Sequence, residues 1–430
     1  MAEQLTHSEQ LRRRALQVMP NGTTRSAVWF EPYPFYVASG QGSRVTDVDG
    51  REFLDLTNNL GVLIHGHAHP DVVAAVQHQA ALGSCFALPT PAEVELAELL
   101  CERVEAFERI RFINTGSEAV ALAIKAARAH TGRHKIIKLE GVYHGTYDFA
   151  EISNYSTPEN WGNQPAAVAT VPATPPGVLD AVLVTQANDI GMLERLLVEN
   201  AGHVAAVLVD PVPPRTGMQP LTEAYLSALR EMTRRYGVLL IFDEVIAFRF
   251  GYSGAQGRFG GDPDLTALGK IIGGGYPVGA VAGRADVMDA TARAVGSSGT
   301  FTANPITMCA GFASMSLLDR GAFTQLDQLG ERLRRSCADI IERHGALMQV
   351  CGTGSIFSIY FHQRPVDNYR SYYKSAQESA ATARFHAVML AQGVLIAPTA
   401  TVFLSTAIST QDEQQFVSAF TAAVVDFCSA

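Results

Sequence analysis

Short apolar runs alternate with longer helical patterns through the middle of this 430-residue chain. The runs RIRFIN, KIIKL, AAVLV and VLLIFD are separated by helix-like segments, the clearest of which run from Ser117 towards His130 and from Thr222 to Tyr236. Parallel strands need crossover helices that cover both faces of the sheet, and this alternation is typical of such βαβ units. We therefore predict an α/β fold with a mainly parallel sheet.

The pattern changes after residue 318. A long charged helix is predicted from Gln325 to His344, followed by the short strands SIFSIYF, VLIAP and TVFLS and a last helix from Thr410 to Cys428. These elements indicate a smaller α+β domain, which the N-terminal segment completes. We predict a large domain over residues 46–318 and a small domain formed by residues 1–45 and 319–430.

Charge and composition disfavour several classes of partner. Thirty-three Lys and Arg against forty-two Asp and Glu give a net charge of -9, which is unfavourable for nucleic acid or an anionic membrane surface. Six cysteines without a C-x-x-C pair predict neither a zinc site nor a disulfide framework. The N-terminal residues lack the apolar stretch of a secretory signal, and the long uncharged stretch 294–318 contains polar residues and a proline. We predict a cytoplasmic protein that acts on small molecules.

The segment IHGHAHP carries three histidines, His65, His67 and His69. Their alternating spacing would place all three on one face of a strand, but no second cluster of carboxylates or cysteines completes a metal coordination shell. We interpret the segment as a structural turn ending at Pro70 and predict no metal site.

Asn114-Thr115-Gly116-Ser117 lies between an apolar strand and a helix. Gly116 allows the backbone to approach a ligand, Ser117 can cap the helix, and the free N–H groups of the first turn favour an anion. On these residues alone, a phosphate site and an ordinary strand-to-helix turn both fit, and the turn is the simpler interpretation.

An acid and a lysine follow two successive apolar runs. Asp243 ends LLIFD, and Lys270 comes 27 residues later as the only charge in LTALGKIIGGGYPVGA. The carboxyl ends of parallel strands line the ligand crevice of such sheets. A buried ion pair is one interpretation. The other is pyridoxal phosphate, which requires a lysine for its Schiff base and a carboxylate that keeps its pyridine nitrogen protonated.

Taken together, these segments resemble the class III aminotransferases among the fold-type I pyridoxal-phosphate enzymes. The likeness rests on NTGSEAVALAIKAARAHTGRHKIIKLEGVYHG, LVDPVPPRTG, LLIFDEVIAFRFG, PDLTALGKIIGGGYPVGAVAGRADVM and GTFTANPITMCAG, and it extends over essentially the whole chain. Within the family, the chain is most similar to the group that holds glutamate-1-semialdehyde aminomutase and the β-phenylalanine aminotransferases. The resemblance implies pyridoxal 5'-phosphate as cofactor.

The resemblance also implies roles for single residues around the cofactor ring. Lys270 would be the Schiff-base lysine and the proton carrier between substrate and cofactor. Asp243 would be the partner of the pyridine nitrogen. Val245 would lie against one ring face, with Tyr143 of VYHG stacked on the other.

The cofactor phosphate would be held by residues from two subunits. Gly116 and Ser117 would bind it from one chain, and Thr300 of GTFT would bind it from a second copy. This contact implies a homodimer with shared active sites.

Arginines are the candidate substrate contacts. Arg25 matches the position where the β-phenylalanine aminotransferases bind the substrate carboxylate, a role that suits a guanidinium; the alternative is a surface arginine. DPVPPR stands where the family commonly has E-P-V-x-G-N, which places Arg215 near the cofactor or a substrate carboxylate. DEVIAFR is one residue shorter than the common motif, as in the β-phenylalanine group. Ala397-Pro398-Thr399 replaces the Ser-Pro-Arg of that group, so the substrate and the amino acceptor stay open.

The resemblance implies an aminotransferase of amino acid metabolism. It would move an amino group between a carboxylated amine, with β- and D-amino acids as candidates, and a 2-keto acid. The alternative is a 2,1-aminomutase of the glutamate-1-semialdehyde type. The glycine- and serine-rich lid of the aminomutase is not obvious in DFAEISNYSTPENWGNQP, which follows the Y-H-G motif almost directly.

Overall fold

The computed structural model describes residues 5–296 and 299–429. Two compact units are distinguished by their internal contacts. The first comprises Met1–Pro70, Gln325–Arg364 and Lys374–Ala430, and the second comprises Asp71–Thr324 and Pro365–Tyr373. Residues 46–70 thus group with the N-terminal segment, whereas the sequence pattern assigns them to the large domain. The predicted domain boundaries stay predictions.

The described residues form three β-sheets. Their strands are β1 Val37–Gln41, β2 Arg44–Asp47, β3 Glu52–Asp55, β4 Arg109–Ile113, β5 Lys135–Leu139, β6 Val182–Thr185, β7 Val204–Val209, β8 Leu239–Asp243, β9 Leu265–Gly269, β10 Gly279–Gly283, β11 Gln349–Thr353, β12 Ile356–Tyr360, β13 Val394–Leu395 and β14 Thr401–Phe403.

The second unit contains a seven-stranded sheet in the order β4-β10-β9-β8-β7-β5-β6. The pairs β5 with β6, β5 with β7, β7 with β8 and β8 with β9 are parallel, whereas β10 is antiparallel to both β9 and β4. The predicted α/β fold with a mainly parallel sheet is confirmed. Within the first unit, the sheet orders are β1-β2-β3-β13 and β11-β12-β14.

Helices accompany these strands along the chain. The longer ones are His7–Ala15, Pro70–Leu82, Pro91–Arg103, Gly116–Thr131, Ile190–Glu199, Glu223–Tyr236, Ala285–Ala294, Pro305–Leu317, Arg320–Arg343, Ala376–Ala391 and Thr410–Cys428. Shorter ones are Asp148–Glu151, Pro176–Asp180, Gly254–Phe259 and Tyr369–Tyr372, with 3₁₀ turns at Pro20–Gly22, Ser26–Val28, Ala247–Phe250 and Lys270–Gly273. No helix in the described part of the chain is long and apolar enough to cross a membrane.

Neighbouring residues of the central strands enter two apolar clusters. Ile136 packs in a cluster with the helix Gly116–Thr131, whereas Ile137 packs in another with the helix Glu223–Tyr236. Successive side chains of a strand point to opposite faces of the sheet, so helices cover both faces. This arrangement leaves the carboxyl ends of the parallel strands as the place where polar side chains collect.

Candidate active site

The acid and the lysine predicted from the sequence lie at the carboxyl ends of two neighbouring strands of the central sheet. Asp243 is the last residue of β8, and Lys270 directly follows β9, its parallel neighbour. The Asp243 side chain is buried, while Lys270 is half-buried. Lys270 also has a backbone φ of +50°, in the left-handed region that non-glycine residues rarely adopt. Strained residues of this kind cluster at functional sites.

The turn before the helix Gly116–Thr131 packs against both strand ends. A methyl group placed on Gly116 would lie 2.8 Å from Val245 Cγ1, and one placed on Gly269 would lie 3.3 Å from the same atom. Only the missing side chain at Gly116 permits this approach. Three predicted site segments are therefore joined: the Gly116 turn, the chain after Asp243 and the chain before Lys270.

The start of this helix could hold a phosphate group. Its cap is Thr115, whose Oγ1 accepts the Glu118 N–H at 3.1 Å, and not Ser117, which the sequence suggested as a cap. The Ser117 hydroxyl instead accepts the Thr146 N–H at 3.3 Å. The first N–H groups of a helix lack intrahelical acceptors, and the dipole of this sixteen-residue helix favours an anion at its start.

The loop after β5 carries Tyr143 to the same place. Tyr143 is half-exposed, and its hydroxyl is hydrogen-bonded to Ser117. Burial raises the pKa of this hydroxyl, and the bond to Ser117 opposes that effect. The structure therefore brings Tyr143 beside the predicted phosphate-binding residues.

His144, next in the chain, holds the Asp243 carboxylate. Its Nδ1 lies 2.7 Å from Asp243 Oδ2, while the Val245 N–H donates to Asp243 Oδ1 at 3.0 Å. Burial lowers the pKa of His144, although the contact with Asp243 opposes this. A neutral imidazole that donates from Nδ1 fits these contacts, and Nε2 has no hydrogen-bond partner among the described residues. His144 is not among the residues predicted from the sequence, where its one signal is its place beside Tyr143 in VYHG.

A second buried acid, Asp210, follows β7. Burial raises its pKa well above the ordinary value, and the charge of Asp243 adds to this effect, whereas Lys270 opposes it. Two neighbouring carboxyl groups in one buried place do not both ionise easily. A negative charge on Asp210 is therefore disfavoured beside Asp243.

Arg25 lies in the first unit, on the wall of a cavity of about 240 Å³. Its Nη1 donates to Asn59 Oδ1 at 2.5 Å. Asn59 belongs to a turn with four successive left-handed residues, whose φ angles from Asn58 to Gly61 are +43°, +53°, +57° and +84°. The cavity wall is otherwise mostly apolar; it includes Val28, Phe30, Phe35, Val37, Leu60 and Ile396.

Two of the three histidines of IHGHAHP are hydrogen-bonded to different residues, and the rings of His65 and His69 lie 5.6 Å apart. His67 Nε2 lies 2.7 Å from Asp55 Oδ2, and His65 Nδ1 lies 2.9 Å from Thr406 Oγ1. They precede the helix that begins at Pro70 and do not form a regular strand. Within residues 5–296 and 299–429, no group of three or more His, Cys, Asp or Glu is arranged to hold a metal ion.

The remaining predicted residues lie in other surroundings. Arg215 donates from Nη1 to the carbonyl oxygens of Gly141, at 3.2 Å, and Asn154, and its guanidinium lies 4.4 Å from the Tyr155 ring centroid. Thr300 is exposed, and its carbonyl oxygen lies 3.8 Å from Cys85 Sγ. The predicted roles of both residues stay predictions.

Comparison with known proteins identifies the family. The family model described as aminotransferase class-III matches residues 26–424. The chain belongs to the class III aminotransferase family. A relative from Methanothermobacter thermautotrophicus, named glutamate-1-semialdehyde 2,1-aminomutase, is 39% identical over 397 residues, which cover 91% of this chain and 92% of that protein.

Solved structures agree with this family. An omega-transaminase from Sphaerobacter thermophilus is 46% identical, with a TM-score of 0.95 and coverage of 98% of both chains. A structure described as a transaminase with PLP bound is 39% identical, with a TM-score of 0.91 and coverage of 99% of both chains. The predicted membership of the class III aminotransferases, the fold-type I architecture and the assignment as an enzyme are confirmed.

Proposed function

We propose that the protein is a pyridoxal 5'-phosphate-dependent aminotransferase that moves an amino group between a carboxylated amine and a 2-keto acid. The observation that carries this proposal is the convergence of Lys270 and Asp243 at the carboxyl edge of β8 and β9, beside the helix start at Gly116. This is the set of groups that the cofactor requires: an amine, a carboxylate and an anion site.

The described residues fit the cofactor. The Asp243 side chain is buried and is held by His144 and the Val245 N–H, so its position is fixed. Gly116 and Ser117 would hold the phosphate, and Val245 and Tyr143 would cover the two faces of the ring. When bound, the cofactor supplies an electron-accepting ring that stabilises negative charge at the substrate carbon.

Two residues would then handle protons. Asp243 would keep a proton on the pyridine nitrogen, since a buried carboxylate favours a positive charge beside it. The Lys270 amine would bind the cofactor aldehyde, and after its release by the substrate it would carry a proton from the substrate carbon. Burial and the neighbouring Asp243 disfavour ionisation of Asp210, so Asp243 is the acid that we propose for this work.

We propose that the active enzyme is a homodimer with shared sites. Three large apolar side chains near Thr300 are exposed. Phe301 is next in the chain and is 65% exposed, while Phe86 and Leu88 follow Cys85, which contacts Thr300, and are 49% and 77% exposed. Asn304 Nδ2 donates to the Ser84 carbonyl oxygen at 2.7 Å, which joins the two segments that carry them. Apolar exposure of this kind marks a protein contact, and a second copy would bring its Thr300 to the phosphate.

We also propose a cytoplasmic location. The six cysteines are free thiols, which supports this location.

The Arg25 cavity supports the proposed substrate class. A guanidinium on a mostly apolar wall suits a substrate with a carboxylate and an apolar body. Amines of this kind include the β- and D-amino acids that the sequence suggests. The hydrogen bond that Arg25 Nη1 donates to Asn59 Oδ1 gives the guanidinium of Arg25 a defined orientation.

Replacement of Arg25 by alanine is expected to raise KM for carboxylated amines by about 10- to 100-fold, since a hydrogen bond between charged groups is worth roughly 1.5 to 3 kcal/mol. The change in kcat should be small if the contact is equal in the ground and transition states. Steady-state kinetics with an amine that lacks a carboxylate provide the control, because its KM should not change. An unchanged KM for the carboxylated amines would show that Arg25 is a surface arginine with no role in substrate binding.

The amino acceptor distinguishes the two candidate reactions. The relative named as an aminomutase, 39% identical over most of the chain, favours isomerisation as the second candidate. We expect the turnover of a panel of carboxylated amines to require added pyruvate or 2-oxoglutarate. Chromatography of both products measures this requirement. Isomerisation of glutamate-1-semialdehyde without any keto acid, together with no acceptor-dependent turnover, would replace the aminotransferase proposal with the aminomutase.

A further inference from the structure

Lys138 is fully buried on β5, in the middle of the apolar run KIIKL. Its Nζ donates to four oxygen atoms at 2.6 to 3.0 Å. These are the carbonyl oxygens of Val142, Ala150 and Ile152 and the side-chain Oδ1 of Asn154. The mechanism proposed above does not use this lysine.

Four oxygen acceptors around one nitrogen favour a positively charged amine. An ammonium group has three N–H donors and no lone pair, whereas a neutral amine has two donors and one lone pair. A neutral Lys138 would therefore turn its lone pair towards oxygen atoms. Burial lowers the pKa of Lys138 and the charge of Arg215 adds to this, but four acceptors around one nitrogen oppose both effects.

The acceptors lie at both ends of one loop. Val142 directly precedes Tyr143 and His144, and the other three acceptors lie between residues 150 and 154. Arg215 binds the same two ends through the carbonyl oxygens of Gly141 and Asn154. The buried Lys138 and the half-buried Arg215 thus join the two ends of the loop 142–154.

We propose that Lys138 is a positioning residue. Its ammonium acts as an internal cation that holds residues 142–154 in the conformation that brings Tyr143 to the cofactor ring and His144 to Asp243. The inference rests on the proposed function, since it assigns Lys138 a part in forming the cofactor site.

The test replaces Lys138 by methionine, which keeps an unbranched side chain but removes the charge and the donors. In the full-length protein freed of cofactor, amide hydrogen exchange in residues 142–154 is expected to rise by about tenfold or more. Affinity for pyridoxal phosphate should fall by about 10- to 100-fold, as for other outer contacts that orient a site. The pH at which the visible absorption of the loaded protein changes should also shift, because His144 then holds Asp243 less well.

Lys135→Met is the matched control. Lys135 lies on the same strand, and its Nζ donates to Asn200 Oδ1 at 2.8 Å, away from the loop. This variant should keep wild-type loop exchange, cofactor affinity and absorption. A folded Lys138→Met protein with wild-type exchange in 142–154 and wild-type cofactor affinity would overturn the proposal.

Asn154→Ala serves if Lys138→Met does not fold. It removes one acceptor and keeps the ammonium, and Asn154 Nδ2 has no hydrogen-bond partner among the described residues, so the substitution breaks little else. Exchange in the loop should rise and cofactor affinity should fall, each by less than complete loss of Lys138 would cause; no change in either would overturn the proposal. A wild-type protein that binds no pyridoxal phosphate would refute the proposed function, whereas exchange in the cofactor-free variants would still decide whether Lys138 holds the loop.

Discussion

Replacement of Lys270 by alanine is expected to remove the visible absorption of the cofactor-loaded protein and to reduce turnover by at least about 10³-fold, since a positioned proton-transfer group alone contributes about 10²- to 10⁴-fold. The variant loses the amine that would bind the cofactor aldehyde and the group that would carry the proton. Asp243 and the helix start at Gly116 are unchanged, so the variant should still bind the cofactor without the covalent link. Absorption spectra before and after gel filtration, and single-turnover kinetics, measure the two effects.

Backbone strain at Lys270 allows the folding of two variants to be compared. Alanine at this position retains the side-chain clash of the left-handed conformation at φ +50°, whereas glycine relieves it. We expect Lys270→Gly to be more stable than Lys270→Ala by about 1 kcal/mol in denaturant titrations. Both variants should be equally colourless, which separates the loss of the amine from any change in folding.

Lys374 is the control lysine for the covalent link. Burial lowers the pKa of Lys374 to about 8, so part of its amine is unprotonated near neutral pH. Its Nζ donates to Thr382 Oγ1 at 3.0 Å and to the Thr399 carbonyl oxygen at 3.2 Å. The variant Lys374→Ala should keep the absorption band. Colour that survives in Lys270→Ala and disappears in Lys374→Ala would move the link to the other lysine; a wild-type protein that stays colourless with added cofactor would end the proposal.

Local sequence determines where Asp243 and Lys270 lie. Both follow short apolar runs, and the parallel sheet places the ends of such strands at one edge, so the two residues could be predicted together. The last helix, Thr410–Cys428, also begins at the predicted residue, because Ser409 and Asp412 form a capping box that is visible in the sequence. These features depend on residues that are near one another in the chain.

Contacts between distant segments could not be predicted in this way. The bond between His144 and Asp243 joins residues 99 positions apart, and it depends on how two strands of the sheet are ordered. Lys138 lies between Ile137 and Leu139, and nothing in the strand itself shows that its amine is enclosed; the loop 142–154, which follows the strand, folds back over it. The left-handed turn at Asn58–Gly61 contains two asparagines and a glycine, which tolerate this conformation, but Leu60 gives no local signal for it.

Replacement of Asp243 by asparagine is expected to reduce kcat/KM by about 10²- to 10³-fold, the usual cost of removing one preorganised electrostatic contact. Asparagine keeps the shape of the side chain but removes its charge, so the proton on the pyridine nitrogen loses its partner. The amide also offers one oxygen where the carboxylate has two, and these two already accept from His144 and the Val245 N–H. Rate constants and the pH dependence of the visible absorption should both change.

Asp264 offers a control of similar burial at the amino ends of the same strands. It directly precedes β9, is 3% exposed against 5% for Asp243, and forms ion pairs with Arg230 at 2.9 Å and Arg284 at 2.7 Å. Asp264→Asn should lower the unfolding temperature, because Arg230 and Arg284 both lose an ion pair, although Arg284 keeps its pair with Asp286, but kcat of the folded protein should stay near the wild-type value. The expected pattern is therefore crossed: activity falls for Asp243→Asn and stability falls for Asp264→Asn. If kcat fell equally in both variants, the loss at Asp243 would follow from general destabilisation of the sheet, and its role at the pyridine nitrogen would have to be abandoned.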